Sequence, residues 1–306
     1  MKSEHQVDTN ILTEFLKELL IRQIDEPAKK WLLEKLNGIG RQPQPRDLFL
    51  MFSAVPRFLG KSNLDLTTEE VIRLEEIRQG LSLEGWTVPQ TARVLTLCSF
   101  QFEDETSFLQ LLDQIFSIAE VTELVALYSA LPLLPYPDLL KTRASEGIRT
   151  NMSVVFDAVV LNNPFPCEYL DEAAWNQMVL KALFMERPLY KIYGLEQRAN
   201  LQLSKMISNF AHERWVAGRP TSPEMWRPIG KYGPDIIYQD LERLANIDHP
   251  DQQAAAILTA GTLNTKEAKS FLERHSLVAA EVSENNTTWD DVGIRWLAHQ
   301  NLSNLR

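Results

Sequence analysis

The side chains with the clearest chemical potential lie in His212-Glu213-Arg214-Trp215-Val216. The first two match the opening of a zinc-protease helix, in which two histidines four residues apart hold the metal and the glutamate takes a proton. Val216 occupies the place of the second histidine, and one imidazole cannot supply that two-histidine face. The other histidines, at positions 5, 249, 275 and 299, are scattered. Cys98 and Cys167 are too far apart for a zinc knuckle and too few for a disulfide framework. No metal, cofactor or catalytic constellation is expected on these grounds. Asp290-Asp291 is similar to the acidic pair with which all-helical prenyl-diphosphate enzymes hold magnesium, but Ile294 and Arg295 follow where a third carboxylate is needed. Two acids at a helix start also suit the positive end of the helix dipole, and Asp171-Glu172 has the same explanation. Gly38-Ile39-Gly40 follows a helix rather than a strand, and neither a Walker loop nor a Gly-x-Ser-x-Gly elbow occurs. Arg214, Arg219 and Arg227 could bind a carboxylate or phosphate, or pair with Glu213, Glu224 and their neighbours.

The elements that must position these residues read as helices throughout. The chain has 306 residues, 24% of them charged and 44% hydrophobic, the balance of a folded globular protein. Leu occurs 44 times against 16 Val and 17 Ile, and unbranched Leu suits helix interiors. Helices are expected near 9–24, 26–37, 45–59, 68–80, 88–99, 104–117, 120–131, 138–162, 170–185, 196–217, 222–229, 234–246, 250–261, 265–275 and 288–302. Thr67 with Glu70, Thr221 with Glu224 and Asn264 with Glu267 have capping-box spacing. Short linkers such as 38–43 and 162–166 favour an all-α chain, an irregular multi-helix bundle or a HEAT-like α-solenoid of antiparallel helix pairs. No linker divides it, so residues 1–306 are expected to form one all-helical domain. Lys and Arg total 31 against 41 Asp and Glu, a net charge of −10 that opposes binding to nucleic acid or anionic membranes. No apolar run suggests a signal peptide or a membrane span, and the scarce cysteines suit a reducing cytoplasm.

Between Arg143 and Trp226 the helices carry polar residues set into apolar arcs. Over 148–162, apolar residues run nearly all round the wheel, with Arg149, Asn151 and Asp157 among them and Arg149 on the stripe of Met152, Phe156 and Val160. In 170–185, Asn176 falls between Val179 and Leu180 on the wheel, inside the apolar arc, and Gln177 and Lys181 form the polar strip. In 196–217, Arg214 projects from the Leu203, Met206, Ile207 and Phe210 face, with His212 opposite, next to Ser208. Buried polar groups must find partners, so these residues either fix helix register in a shared network or hold a polar ligand. The aromatics around them could wall a pocket for a flat organic molecule or simply fill the core.

Several of these stretches resemble the EboA family. They are Asn163-Pro164-Phe165-Pro166, the run Leu170 to Phe184, Gly194-Leu195-Glu196-Gln197-Arg198-Ala199-Asn200, Ala211 to Pro220, and Arg149-Thr150-Asn151. The resemblance is specific across about 145–230 and is only general helical character elsewhere. It implies membership of a bacterial gene cluster, the ebo cluster, that also encodes a membrane prenyltransferase-like protein, a sugar-phosphate-cyclase-like protein and a TIM-barrel metal-dependent protein. The cluster is associated with moving secondary-metabolite precursors, such as the scytonemin monomer, from cytoplasm to periplasm. The resemblance carries over no catalytic residue. The matching positions that also stand out physically include Arg149, Asn151, Trp175, Asn176, Lys181, Arg198, His212 and Arg214; with Asp157 they are the candidate ligand-binding residues.

Two readings of function follow. In the first, the chain is a non-enzymatic cytoplasmic accessory protein that binds a metabolite precursor or scaffolds other ebo-cluster proteins, among them the membrane prenyltransferase-like one. In the alternative, it is an enzyme acting on a prenylated or phosphorylated precursor, with Arg149, Lys181, Arg198 or Arg214 neutralising an anion and Asp157 or His212 moving a proton.

Overall fold

The computed structural model describes residues 8–41, 44–230, 232–233 and 237–303, and among these it is all-helical with no strand. Contacts divide the chain into two compact units that meet in sequence between Leu170 and Asp171.

The first unit contains α1 (Thr9–Gln23), α2 (Glu26–Arg41), α3 (Pro45–Leu59), α4 (Thr68–Ile77), α5 (Val88–Ser99), α6 (Glu105–Ile118), α7 (Val121–Ser129), α8 (Lys141–Arg149), α9 (Ser153–Val160) and α10 (Phe165–Tyr169). Its centre is α5, which packs against α1, α3 and α7. Thr87 starts α5 by accepting the Gln90 N–H, and from Val88 to Cys98 only Gln90 escapes burial. The buried Arg93 guanidinium meets its donor requirement at three places: the Phe52 carbonyl on α3 (3.0 Å), the Thr122 hydroxyl (3.2 Å) and the Glu123 carboxylate (3.4 Å) on α7. A second buried pair joins Arg78, after α4, to Glu168 of α10 through two hydrogen bonds of 2.7 and 2.5 Å. Both cysteines are buried, and burial pushes the Cys98 thiol up to about 12.

Four expectations need correction. The helix expected over 138–162 is a 3-10 turn (Pro137–Leu140) followed by α8 and α9, with a break at Thr150–Met152. Gly147 lets the two segments pack closely beside the break: a Cβ there would lie 2.6 Å from Val159 and 2.7 Å from Tyr128, so α8 lies directly against α7 and α9. The Thr150 hydroxyl supports the turn by accepting the Met152 N–H at 3.2 Å. Arg149 and Met152 therefore share no stripe; both are exposed, as are Asn151 and Val154, while Val155, Phe156, Val159 and Val160 form the single buried face. At the other sites, Gly38 to Arg41 continue α2 instead of forming a linker, whose Gln42 and Pro43 lie outside the described residues. Of the three expected capping boxes, Thr67–Glu70 forms, whereas Thr265 rather than Asn264 caps the helix after it, and Glu224 is drawn away from Thr221 by contacts described below.

The second unit contains α11 (Glu172–Phe184), α12 (Leu201–Val216), α13 (Ile237–Ala245), α14 (Pro250–Thr262), α15 (Lys266–Arg274), α16 (Ser276–Glu284) and α17 (Trp289–Ser303), with 3-10 segments at Leu189–Lys191 and Pro223–Ile229. Its centre is α14, against which α13, α15, α16, α17 and the second 3-10 segment pack. The small buried residues Ala254, Ala255, Ala256 and Ala260 allow that close approach. Asp171 caps α11 through the Ala174 N–H, and Thr288 and Asp291 exchange hydrogen bonds at the start of α17, which accounts for both acidic pairs.

Candidate functional site

The candidate site lies within the second unit, where α12 ends. That end is set by sequence: Gly218 takes a left-handed φ of 66°, its N–H reaches the Trp215 carbonyl (3.1 Å), and the Arg219 N–H reaches the Arg214 carbonyl (2.9 Å). Pro220 then stops the helix, and the Arg214 side chain closes the turn by donating from Nε to the Pro220 carbonyl at 2.7 Å. The exposed part of the turn, with Arg243 of α13, His249 and Gln252 at the start of α14, and Trp296 of α17, borders a hollow of about 460 Å³ that is open to solvent. Trp215 forms one wall. It stacks on the buried Trp226 (5.8 Å between centroids, 21° between planes) and carries the Arg243 guanidinium 4.4 Å from its ring centre.

The polar groups of this hollow are unusual in what they lack. The Gln252 amide nitrogen donates to the Thr221 carbonyl at 2.6 Å, which leaves Oε1 as the remaining acceptor of that amide. That Oε1 and the Thr221 hydroxyl are buried without a hydrogen-bond partner in the protein, on side chains 4% and 2% exposed. The Nε1 proton of Trp296 has no protein acceptor either. His249 accepts the Asp251 N–H at Nδ1 (3.2 Å), so the neutral ring carries its proton on Nε2. No Asp or Glu lines the hollow, and neither Arg219 nor Arg243 has a carboxylate partner among the described residues.

The other expected site residues fall elsewhere. Arg149, Asn151 and Asp157 belong to the first unit; Arg149 and Asn151 are exposed at the α8–α9 turn and Asp157 is half-buried on α9. In the second unit, the buried Asn176 exchanges two amide hydrogen bonds with Asn200 (3.2 and 2.9 Å), whose Oδ1 also accepts the Leu203 N–H and thereby starts α12. That cap is why α12 begins at Leu201 and not near 196. Trp175 is fully buried with the Arg198 guanidinium 5.0 Å from its ring centre. Lys181 is half-buried, and burial lowers its ammonium from the usual value; it borders a shallow groove with Phe184 and Met206. His212 donates from Nε2 to Asp240 Oδ1 at 2.6 Å, while Ser208 donates to Asp240 Oδ2 at 2.8 Å. The serine and histidine thus satisfy one buried carboxylate instead of activating each other, which is a structural arrangement and not a nucleophile with its base. Arg227 pairs with Asp290 (2.6 Å) and Glu196 (3.2 Å), so within the run of three arginines only Arg219 faces the hollow without an acid.

Sequence reasoning missed Asp240, Glu224, Gln252, Arg243 and Trp296. Glu224 is 2% exposed and accepts the Leu189 N–H (3.2 Å) and the Tyr190 N–H (2.6 Å). Burial, opposed by those two bonds and by Arg227, pushes its carboxyl up to about 7. No local signal marks these positions, because each acquires its meaning from contacts 28 or more residues away along the chain.

Fold and site together define an all-α multi-helix protein with a cationic, aromatic hollow and, among the described residues, no cluster of side chains suited to a metal. The chain belongs to the EboA family: the model of metabolite traffic protein EboA matches residues 12–230. The match reaches well beyond the 145–230 window of the sequence resemblance and takes in most of the first unit. Trp215, Arg219 and Thr221 fall inside it, and Arg243, His249, Gln252 and Trp296 beyond it. No curated protein and no solved structure matches the chain. No described helix is long and apolar enough to cross a membrane.

Proposed function

We propose that this chain is a non-enzymatic accessory protein that binds a secondary-metabolite precursor in the cytoplasm and passes it to membrane components for export to the periplasm. The observation that carries the reading is the hollow at the end of α12, in a chain whose family is one of metabolite traffic. The partners in this reading are other proteins of the ebo cluster, the membrane prenyltransferase-like protein among them, and the bilayer step is theirs. Asn176 with Asn200, and Arg214 with Pro220, would serve by holding α11, α12 and the turn in place around the site.

The experiment is deletion of this gene alone in a producing cell, with precursor and processed product measured in cytoplasmic and periplasmic fractions. Build-up of precursor in the cytoplasm with normal synthesis is the expected result. Loss of the precursor, or accumulation of an unprocessed intermediate, would replace this reading by the enzyme acting on a prenylated or phosphorylated precursor.

A further inference from the structure

The hairpin of α2 and α3, in the first unit, has a second face besides the one it buries. Leu32 of α2 and Leu48, Phe52 and Val55 of α3 are packed in the core. Away from them the two helices border a groove of about 420 Å³, open to solvent. On the α2 side it is lined by Trp31, Glu34, Lys35 and Gly38, whose i, i+3, i+4, i+7 spacing makes one stripe. On the α3 side stand Leu50, Ala54 and Phe58, with Leu50 58% and Phe58 44% exposed.

The order of these residues carries more information than their exposure. The helices of the hairpin run antiparallel, and the stacked rings of Trp31 and Phe58 (4.5 Å between centroids, 10° between planes) fix which residues are level. With the same rise per residue on both helices, the midpoint between Glu34 and Lys35 is level with Ala54. About that level each stripe is its own complement. A two-fold rotation on an axis across the helices exchanges Trp31 with Gly38 and Glu34 with Lys35 on α2. On α3 it exchanges Phe58 with Leu50 and returns Ala54 to itself. The largest side chain of the α2 stripe therefore meets the position that has none, where a Cβ would find no atom within 4 Å. Carboxylate meets ammonium, apolar meets apolar, and the smallest α3 residue lies on the axis. Neither Glu34 nor Lys35 has an ion pair within the chain among the described residues. Two copies of net charge −10 repel at long range, so opposite charges at the axis also fix the register of contact.

We propose that this face pairs with the same face of a second copy about a two-fold axis, so that two hairpins close into an antiparallel four-helix arrangement. The Lys35 ammonium donates to the partner's Glu34, and the reverse, while the stacked Trp31 and Phe58 seat over the partner's Gly38 and the partner's Leu50. The face spans about 24 Å of helix and two helix widths, at the low end for a specific interface, which puts the association in the micromolar range. The pairing is independent of whether the hollow at the end of α12 holds a metabolite.

The test is sedimentation equilibrium on the full chain from about 1 to 200 μM, where the average mass is expected to rise from one chain toward two. Gly38→Leu fills the space that the partner's Trp31 takes, at a helical position where the new side chain meets nothing in its own chain. It is expected to weaken association by about tenfold or more, with a melting temperature at or above the parent's when both are monomeric. Glu34→Lys and Lys35→Glu are each expected to weaken it by about fivefold or more. The double variant Glu34→Lys/Lys35→Glu is expected to return to within about twofold of the parent, because each new lysine again faces a glutamate. A chain that stays monomeric at every concentration, and so leaves the groove to a different protein, would overturn the pairing. Association untouched by Gly38→Leu, or a double variant no better than the single ones, would overturn it equally.

Discussion

At the scale of single residues, Glu224 is the group whose environment has the largest expected consequence. Its two oxygens accept the Leu189 and Tyr190 N–H groups, and α17 closes over it so tightly that a Cβ on Gly293 would lie 2.3 Å from Oε1. Burial outweighs those bonds and raises the carboxyl to about 7 from its usual 4.5. Below pH 4.5 the group is protonated whether folded or unfolded. Between 4.5 and about 7 only the folded chain holds the proton, so stability is lost as pH rises through that window, by an amount on the order of 3 kcal/mol. Glu224→Gln keeps a neutral group of the same shape. It should flatten this part of the pH profile in thermal melts taken from about pH 4.5 to 7.5; an unchanged slope would show that another group is responsible. Part of the residue-scale picture was legible in sequence. Asn176 stands out because an amide inside an apolar arc must have a partner, but its partner, Asn200, was hidden by an expected helix start five residues too early. Arg149 shows the opposite failure: its apparent place on an apolar stripe assumed a helix that the chain does not continue.

At the scale of elements, glycine at one position decides how three helices meet. Gly147 brings α8 into contact with Tyr128 of α7 and Val159 of α9, neither of which can give way inside the packed face. Gly147→Ala is expected to destabilise the protein by about 1–3 kcal/mol, the usual cost of overpacking, despite alanine's better helix propensity. Chemical denaturation checks this: a midpoint unchanged or raised would mean that α8 has room to move. The helix starts that sequence located well, at Thr67, Thr87 and Asp171, are those whose cap bonds are local, within three residues. Of those it misplaced, the starts at Asn200 and Thr265 also rest on local cap bonds, whereas the one at Thr221 was settled at longer range. Glu224 left its expected box with Thr221 because two N–H groups 34 and 35 residues away required an acceptor.

At the scale of the whole molecule, charge and composition set limits that no packing detail changes. With a net charge of −10 and arginines such as Arg22, Arg143 and Arg227 paired with acids, the chain is expected to pass through heparin without retention at physiological salt. Retention that disappears at higher salt would reveal a basic surface that the sum of charges conceals. The all-α class, most helix spans and the absence of a familiar metal or nucleophile motif were determined by the sequence itself, because periodicity, capping and motif spacing are properties of neighbouring residues. The hollow was not. Trp215 and Arg219, Arg243, Gln252 and Trp296 lie on four elements, and only tertiary packing brings two indoles, two arginines and an unpaired amide oxygen to one place. The same packing parted residues that one wheel had joined, since α8 and α9 pack against each other and against α7, which leaves Arg149 and Met152 in the turn between them instead of on one continuous helix.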